Sequence, residues 1–135
     1  MNPMRDFEEI EHTADRSFHV RGKSFAQLLE NAARAMHSFS RIEGEGKNSA
    51  REVEVQGVDR ETLLVNWLNE ILYLEQRHGE IYDRFETSEV NDTHLRAKVY
   101  GRCSPGGSHI KAVTFHNLAV SETTEGFEAT VVLDV

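Results

Sequence analysis

Several things are scarce in this chain, and each scarcity narrows what it can do. There is one cysteine in 135 residues, Cys103, so no disulfide can form within the chain. A lone thiol fits a reducing compartment. No apolar run approaches the roughly 18 residues that a membrane-spanning helix needs. The first residues, Met1 to Asp6, carry no apolar signal region. Together these set the expectation of a cytoplasmic protein with no membrane association. Basic residues are outnumbered: 15 Lys and Arg against 23 Asp and Glu give a net charge of −8. Such a chain repels phosphate backbones at long range, so direct nucleic-acid binding is not expected. In a nucleic-acid pathway it would act through a protein partner. Repeats and low-complexity tracts are also missing, and the length suits a single domain over residues 1–135.

Familiar catalytic signatures are missing too. Gly44-Glu45-Gly46-Lys47-Asn48-Ser49 has the flavour of a phosphate loop. A P-loop, however, needs glycine where Arg41 stands, Ser or Thr where Asn48 stands, and a strand leading in. A flexible connection over Arg41 to Ala50 is the better reading. No serine sits in a Gly-x-Ser-x-Gly elbow. His19, His37, His78, His94 and His109 share no metal-ligand spacing. Cys103 has no activating neighbour in sequence.

What is present is a clear alternation of strand and helix patterns. Phe7 to Thr13 and Ser17 to Arg21 are expected as strands, with Phe18 and Val20 on one face. Ser24 is a helix cap, with Gln27 three residues on. Phe25, Leu28, Leu29, Ala32, Ala33, Met36 and Phe39 then form one helical stripe. Arg51 to Val58 alternates as a strand. Asp59 caps a second helix with Glu61 in its first turn, and Gly79 stops it. Its apolar face holds Leu63, Leu64, Trp67, Leu68, Ile71, Leu72 and Leu74, which makes Trp67 a core residue. Strands follow at Tyr82 to Ser88 and around Leu95, Ala97 and Val99, with a turn at Asn91-Asp92. Ser104 to Gly107 is a loop. Ile110 to Val120 is expected as one long strand, Glu122 to Gly126 as a turn, and Phe127 to Val135 as the closing strand. The fold class is α+β: two long helices packed on a mostly antiparallel sheet.

The chemistry-bearing residues collect at three places in the sequence. Asp15 stands just before the second strand, in His12-Thr13-Ala14-Asp15, and Asp134 stands one residue from Val135. Brought together with a terminal main-chain oxygen, the two aspartates make a hard, all-oxygen set suited to calcium or magnesium. Left apart, Asp15 caps a turn and Asp134 sits in water. His12 is either a ligand, a base or a histidine bonded to backbone. Lys111 either reaches those carboxylates, if its strand neighbours the last one, or snorkels to solvent. His116 lies in the same stretch.

Four motifs in this order resemble the archease family: His12-Thr13-Ala14-Asp15, Trp67 to Leu74, Lys111-Ala112-Val113-Thr114-Phe115-His116, and Val131-Val132-Leu133-Asp134-Val135. The resemblance spans essentially the whole chain. It implies an α+β fold built on a strand–helix–strand–strand module. It implies an accessory protein, not an enzyme, that assists an RtcB-type RNA ligase in tRNA splicing, promoting ligase guanylylation and multiple turnover. It also implies a divalent-cation site at Asp15, Asp134 and the main chain of Val135. Calcium is the first expectation there, with magnesium or manganese as alternatives, and Lys111 is a functional neighbour. Arg16 departs from the aliphatic residue common after the first aspartate. The rival functions are a stand-alone metal-dependent phosphoesterase and a general chaperone or small-ligand-binding module.

Overall fold

The computed structural model describes residues 6–11, 16–40 and 42–135. Among these residues two strands precede the first helix, one strand separates the two helices, and five strands follow the second helix. The strands form two sheets in place of the single sheet expected, and every pairing is antiparallel. In the first sheet β1 (Phe7–Glu11), β2 (Arg16–Gly22), β8 (Gly126–Asp134) and β6 (Ala112–Thr114) lie in that order, and β7 (Ser121–Thr123) joins the start of β8. In the second, β5 (His94–Cys103) lies between β3 (Asn48–Gln56) and β4 (Glu80–Val90). The run β3, α2 (Arg60–His78), β4, β5 follows the strand–helix–strand–strand order.

Each helix begins where its cap chemistry dictates. α1 spans Phe25–Ser40. The Gln27 N–H donates to Ser24 Oγ at 3.1 Å, and Gln27 Oε1 accepts from the Lys23 N–H at 2.7 Å. This is a capping box whose return bond lands one residue early. Asp59 Oδ1 accepts from the Thr62 N–H at 2.7 Å at the head of α2. Gly79 ends that helix in the left-handed conformation, with φ 62° and ψ 49°.

The two sheets and both helices share one hydrophobic core. Phe18, Val20, Val131 and Leu133 from the first sheet meet Leu28, Leu29, Leu63, Leu64 and Leu68 from the helices, all fully buried. Leu95, Val99 and Phe85 cover the core from the second sheet. Each large aliphatic or aromatic side chain so buried contributes about 1.5–3 kcal/mol. Trp67 is fully enclosed, as its position on the helical stripe requires; its ring stands edge-on to Phe85 and its N–H donates to the Leu29 carbonyl at 2.9 Å. No helix among the described residues is long and apolar enough to cross a membrane.

Three expected boundaries move. The connection after α1 is short, because Asn48, Ser49 and Ala50 already pair with Arg102, Gly101 and Tyr100. The would-be phosphate loop is therefore partly strand. The long strand over Ile110 to Val120 is not formed. Only Ala112–Thr114 is strand, because the Leu118 N–H donates back to the Phe115 carbonyl and Asn117 takes φ 50°. That turn diverts the chain, and Glu61 Oε2 then accepts the Val120 N–H at 2.7 Å. The expected turn at Glu122 to Gly126 is a tight hairpin, with Ser121–Thr123 paired to Gly126–Glu128.

One carboxyl in the core is held away from water. Glu75, on α2, is 3% exposed and accepts the Tyr82 N–H at 3.0 Å. Burial pushes its pKa from 4.5 up to about 7, against the opposing effect of that hydrogen bond. A carboxyl whose folded pKa is raised stabilises the fold fully below its unfolded pKa and loses that contribution as pH rises through the folded one. The window here is pH 4.5 to about 7, and the loss is on the order of 3 kcal/mol. Burial also lowers the pKa of His37 from its ordinary value, so the comparison must be against a variant. Glu75→Gln keeps an acceptor for the Tyr82 N–H. Denaturant unfolding should find it more stable than wild type at pH 8, with the gap closing toward pH 5. An equal gap at both pH values would contradict the assignment.

Candidate functional site

The closing strand β8 occupies the interior of the first sheet. It pairs with β2 from Arg16↔Leu133 to Gly22↔Phe127, and with β6 from Ala112↔Asp134 to Thr114↔Val132. Apolar residues at alternate positions, Ala129, Val131 and Leu133, anchor it in the core. Asp134 is thereby delivered to the end of a rigid strand while its side chain stays exposed. Val135 follows it and is 49% exposed.

His12 and Asp15 lie outside the described residues. The described neighbours fix where the chain departs and returns: Glu11 pairs with Arg16, and Arg16 pairs with Leu133, the residue before Asp134. Arg16, the residue after Asp15, places its guanidinium 5.1 Å from the centre of the Phe39 ring. That cation–π contact draws its charge toward α1.

Lys111 meets the condition set for it, because its segment neighbours the last strand. Its N–H donates to the Asp134 carbonyl at 2.8 Å. Asp134 is already opposed in register by Ala112. Two residues of one arm therefore face one residue of the other, the pattern of a bulge, which re-aims side chains at strand ends. The Lys111 side chain is exposed. His116 is carried to the other end of β6, into the turn after Thr114. There its N–H donates to Thr114 Oγ1 at 3.3 Å and its Nε2 stands 3.3 Å from Asn117 Nδ2. The structure thus joins the main chains of Lys111 and Asp134 and carries His116 to the other end of β6.

The donor chemistry at this end of the sheet suits a hard cation. The Asp134 carboxylate is open to solvent, next to the exposed main chain of Val135. Among the described residues no cluster of three or more His, Cys, Asp or Glu side chains could hold a metal. Asp134 alone would be a weak ligand, and a second carboxylate is required; Asp15 is the residue the sequence offers.

One residue that touches this arrangement carries no role in the sequence reading. Asn69, on α2, makes two bonds to one residue of β6. Its Oδ1 accepts the Val113 N–H at 2.8 Å, and its Nδ2 donates to the Val113 carbonyl at 3.1 Å. In sequence it appears as one polar position inside the apolar stripe of α2. The signal that could have found it is the pair Asn66 and Asn69, three apart on one helix face.

The family model described as the Archease protein family matches residues 7–135. The protein archease of Methanosarcina acetivorans is 35% identical over 143 aligned positions, covering 97% of this chain and 97% of that protein. The solution structure of a Methanobacterium thermoautotrophicum protein superposes with a TM-score of 0.68 at 26% identity, covering 98% of this chain and 100% of that one. The crystal structure of an archease from Thermotoga maritima, described as a possible chaperone, gives a TM-score of 0.67 at 24% identity with all of both chains covered. On the strength of the family match, which takes in every strand and helix described above, this chain belongs to the archease family.

Proposed function

We propose that this protein is an accessory factor of an RtcB-type RNA ligase in tRNA splicing, and that it works through the end of β8. The observation that carries this reading is the main-chain bond from the Lys111 N–H to the Asp134 carbonyl, which sets both exposed residues at the same end of the first sheet. The acid balance of the chain, −8, agrees with action on a protein partner rather than on RNA directly.

In this reading Asp15, Asp134 and the Val135 main chain hold a divalent cation. When bound, that cation would supply a positive centre for phosphate oxygens during nucleotidyl transfer to the ligase. The chain's own residues do the positioning. β8 fixes Asp134, and Lys111 balances its charge or contacts a phosphate oxygen. The protein has no catalytic residue of its own in this scheme; its effect is to promote guanylylation of the ligase and repeated turnover. Calcium, magnesium and manganese all suit an oxygen donor set, and the cytoplasm is where such a ligase would be met.

The test is multiple-turnover RNA ligation by the cognate ligase, with guanosine triphosphate and divalent metal. Wild-type protein should raise turnover, and Asp134→Ala should remove about tenfold or more of that stimulation, as loss of a charged group at a nucleotidyl-transfer site does. Asp134 is exposed, so the variant should melt within about 0.5 kcal/mol of wild type. Full stimulation by Asp134→Ala would refute the proposal. Lys111→Ala should fall between the two, and Lys111→Arg should retain more activity than Lys111→Ala. Hydrolysis of phosphoesters by the protein without ligase, lost in Asp134→Ala, would point instead to a stand-alone phosphoesterase.

A further inference from the structure

We propose that Asn69 is the positioning residue of this site: its side-chain amide stands in for a neighbouring strand on β6 and so sets where Lys111 lies against Asp134. The proposal depends on the ligase reading only for what the site is used for.

β6 needs such support. It is three residues long. The segment before it contains Gly106 and Gly107 at φ 94° and 63°, and the segment after it contains Asn117 at φ 50°. Gly107 packs so closely on α2 that a Cβ there would lie 3.1 Å from Gln76 Cα and the Glu75 carbonyl. Both neighbours of the strand are thus loops, and a short strand between loops, held along one edge, opens readily.

In an antiparallel ladder, alternate residues turn their N–H and C=O away from the partner strand. Val113 is such a residue. It lies between Ala112 and Thr114 in the pairing with β8, and its N–H and carbonyl both go to Asn69. An amide side chain carries an acceptor oxygen and a donor NH2 side by side, so it copies the N–H and C=O that one residue of a further strand would offer. Two bonds to one residue fix both the height and the tilt of β6. Lys111 is two residues away, with its own N–H on the Asp134 carbonyl. A displacement at Val113 therefore reaches Lys111 directly.

The platform that holds Asn69 is rigid. Its neighbours Leu68, Ile71 and Leu72 are buried in the core. Three residues earlier on the same helix, Asn66 Nδ2 donates to the Gln56 carbonyl of β3 at 2.7 Å. One helix face thus holds an edge of each sheet, by one hydrogen bond at β3 and by two at β6. The pair at β6 demands an amide. A carboxylate of the same shape accepts the Val113 N–H but confronts its carbonyl, and an alanine leaves both groups unpaired.

The test compares the full-length wild type with Asn69→Asp, Asn69→Ala and Asn66→Ala. The readouts are amide hydrogen exchange of the protein alone and ligase stimulation across a range of protein concentrations. In both Asn69 variants, exchange at Lys111 and Val113 should accelerate by about tenfold or more, while Phe18 and Val131 in the core stay near wild type. Asn66→Ala should match wild type at all four. Stimulation at saturating protein should fall in Asn69→Asp, with the half-saturating concentration little changed. Wild-type exchange at Lys111 in Asn69→Asp would overturn the proposal. So would equal acceleration at Phe18 and Val131, which would mark a general loss of stability. The exchange measurement contains no ligase. If the ligase reading fails, wild type itself gives no stimulation and the exchange pattern still stands; if the positioning role fails, Lys111 exchange is unchanged whatever the ligase does.

Discussion

The structure depends on one arrangement: the last strand of the chain is an interior strand. β8 hydrogen-bonds to β2 along one side and to β6 and β7 along the other. Strands close to the end of a chain tend to fray. Here the strand carrying Asp134 is instead held on both edges, with Val131 and Leu133 fully buried beneath it. Everything at the candidate site inherits its position from that strand. Arg16 is placed by its pairing with Leu133, and Lys111 by its bond to Asp134. A surface carboxylate on an unpaired tail would spend most of its time elsewhere, whereas one at the end of an interior strand is pre-organised for a ligand.

The rest of the molecule divides its labour around that strand. The first sheet carries the site, and the second sheet, β3–β5–β4, closes the core from the far side of the helices. The outward face of the second sheet is a charge ladder. Glu54 holds both Arg96 and His94, at 3.0 and 2.7 Å, and those bonds lower the Glu54 carboxyl below its usual pKa. At the sheet's base, Arg51 grips Glu80 with two bonds at 3.0 and 2.9 Å, and the Tyr82 hydroxyl donates to the same carboxylate at 2.6 Å. These contacts pair Glu54, Arg96, His94, Arg51, Glu80 and Tyr82 within the second sheet. The exposed carboxylate and lysine at the end of the first sheet differ from them, since neither side chain is tied up in a comparable network among the described residues.

Much of this was legible in the sequence, for physical reasons that can be named. Helix α1 followed from the spacing of its apolar stripe and from Ser24 and Gln27. Helix α2 followed from Asp59 and Gly79, because caps are local chemistry that tertiary structure rarely overrides. Strands β3 and β5 followed from clean alternation. The stretch from Ile110 to Val120 misled because Ile110, Val113, Thr114 and Phe115 are strand formers, while one of the two features that break it is a local turn and the other a distant contact. Asn117 adopts a left-handed turn, and Glu61, 59 residues earlier in sequence, accepts the Val120 N–H. The split into two sheets was likewise unreadable, since periodicity gives a strand's faces but not its neighbours. At the site, Asp134, Val135 and Lys111 were nominated from residue type and from family likeness. Asn69 was not, because its role exists only once α2 has been laid beside Val113.

In the proposed function the end of β8 holds a divalent cation. The most direct measurement is a manganese titration of the isotope-labelled protein, watching which backbone amide signals are lost to paramagnetic broadening. The amides of Asp134, Val135, Lys111 and Arg16 should broaden first and together, and calcium added in excess should restore them. Broadening that begins at the acidic residues of the second sheet, such as Glu52 and Glu54, while the end of β8 stays sharp would contradict it.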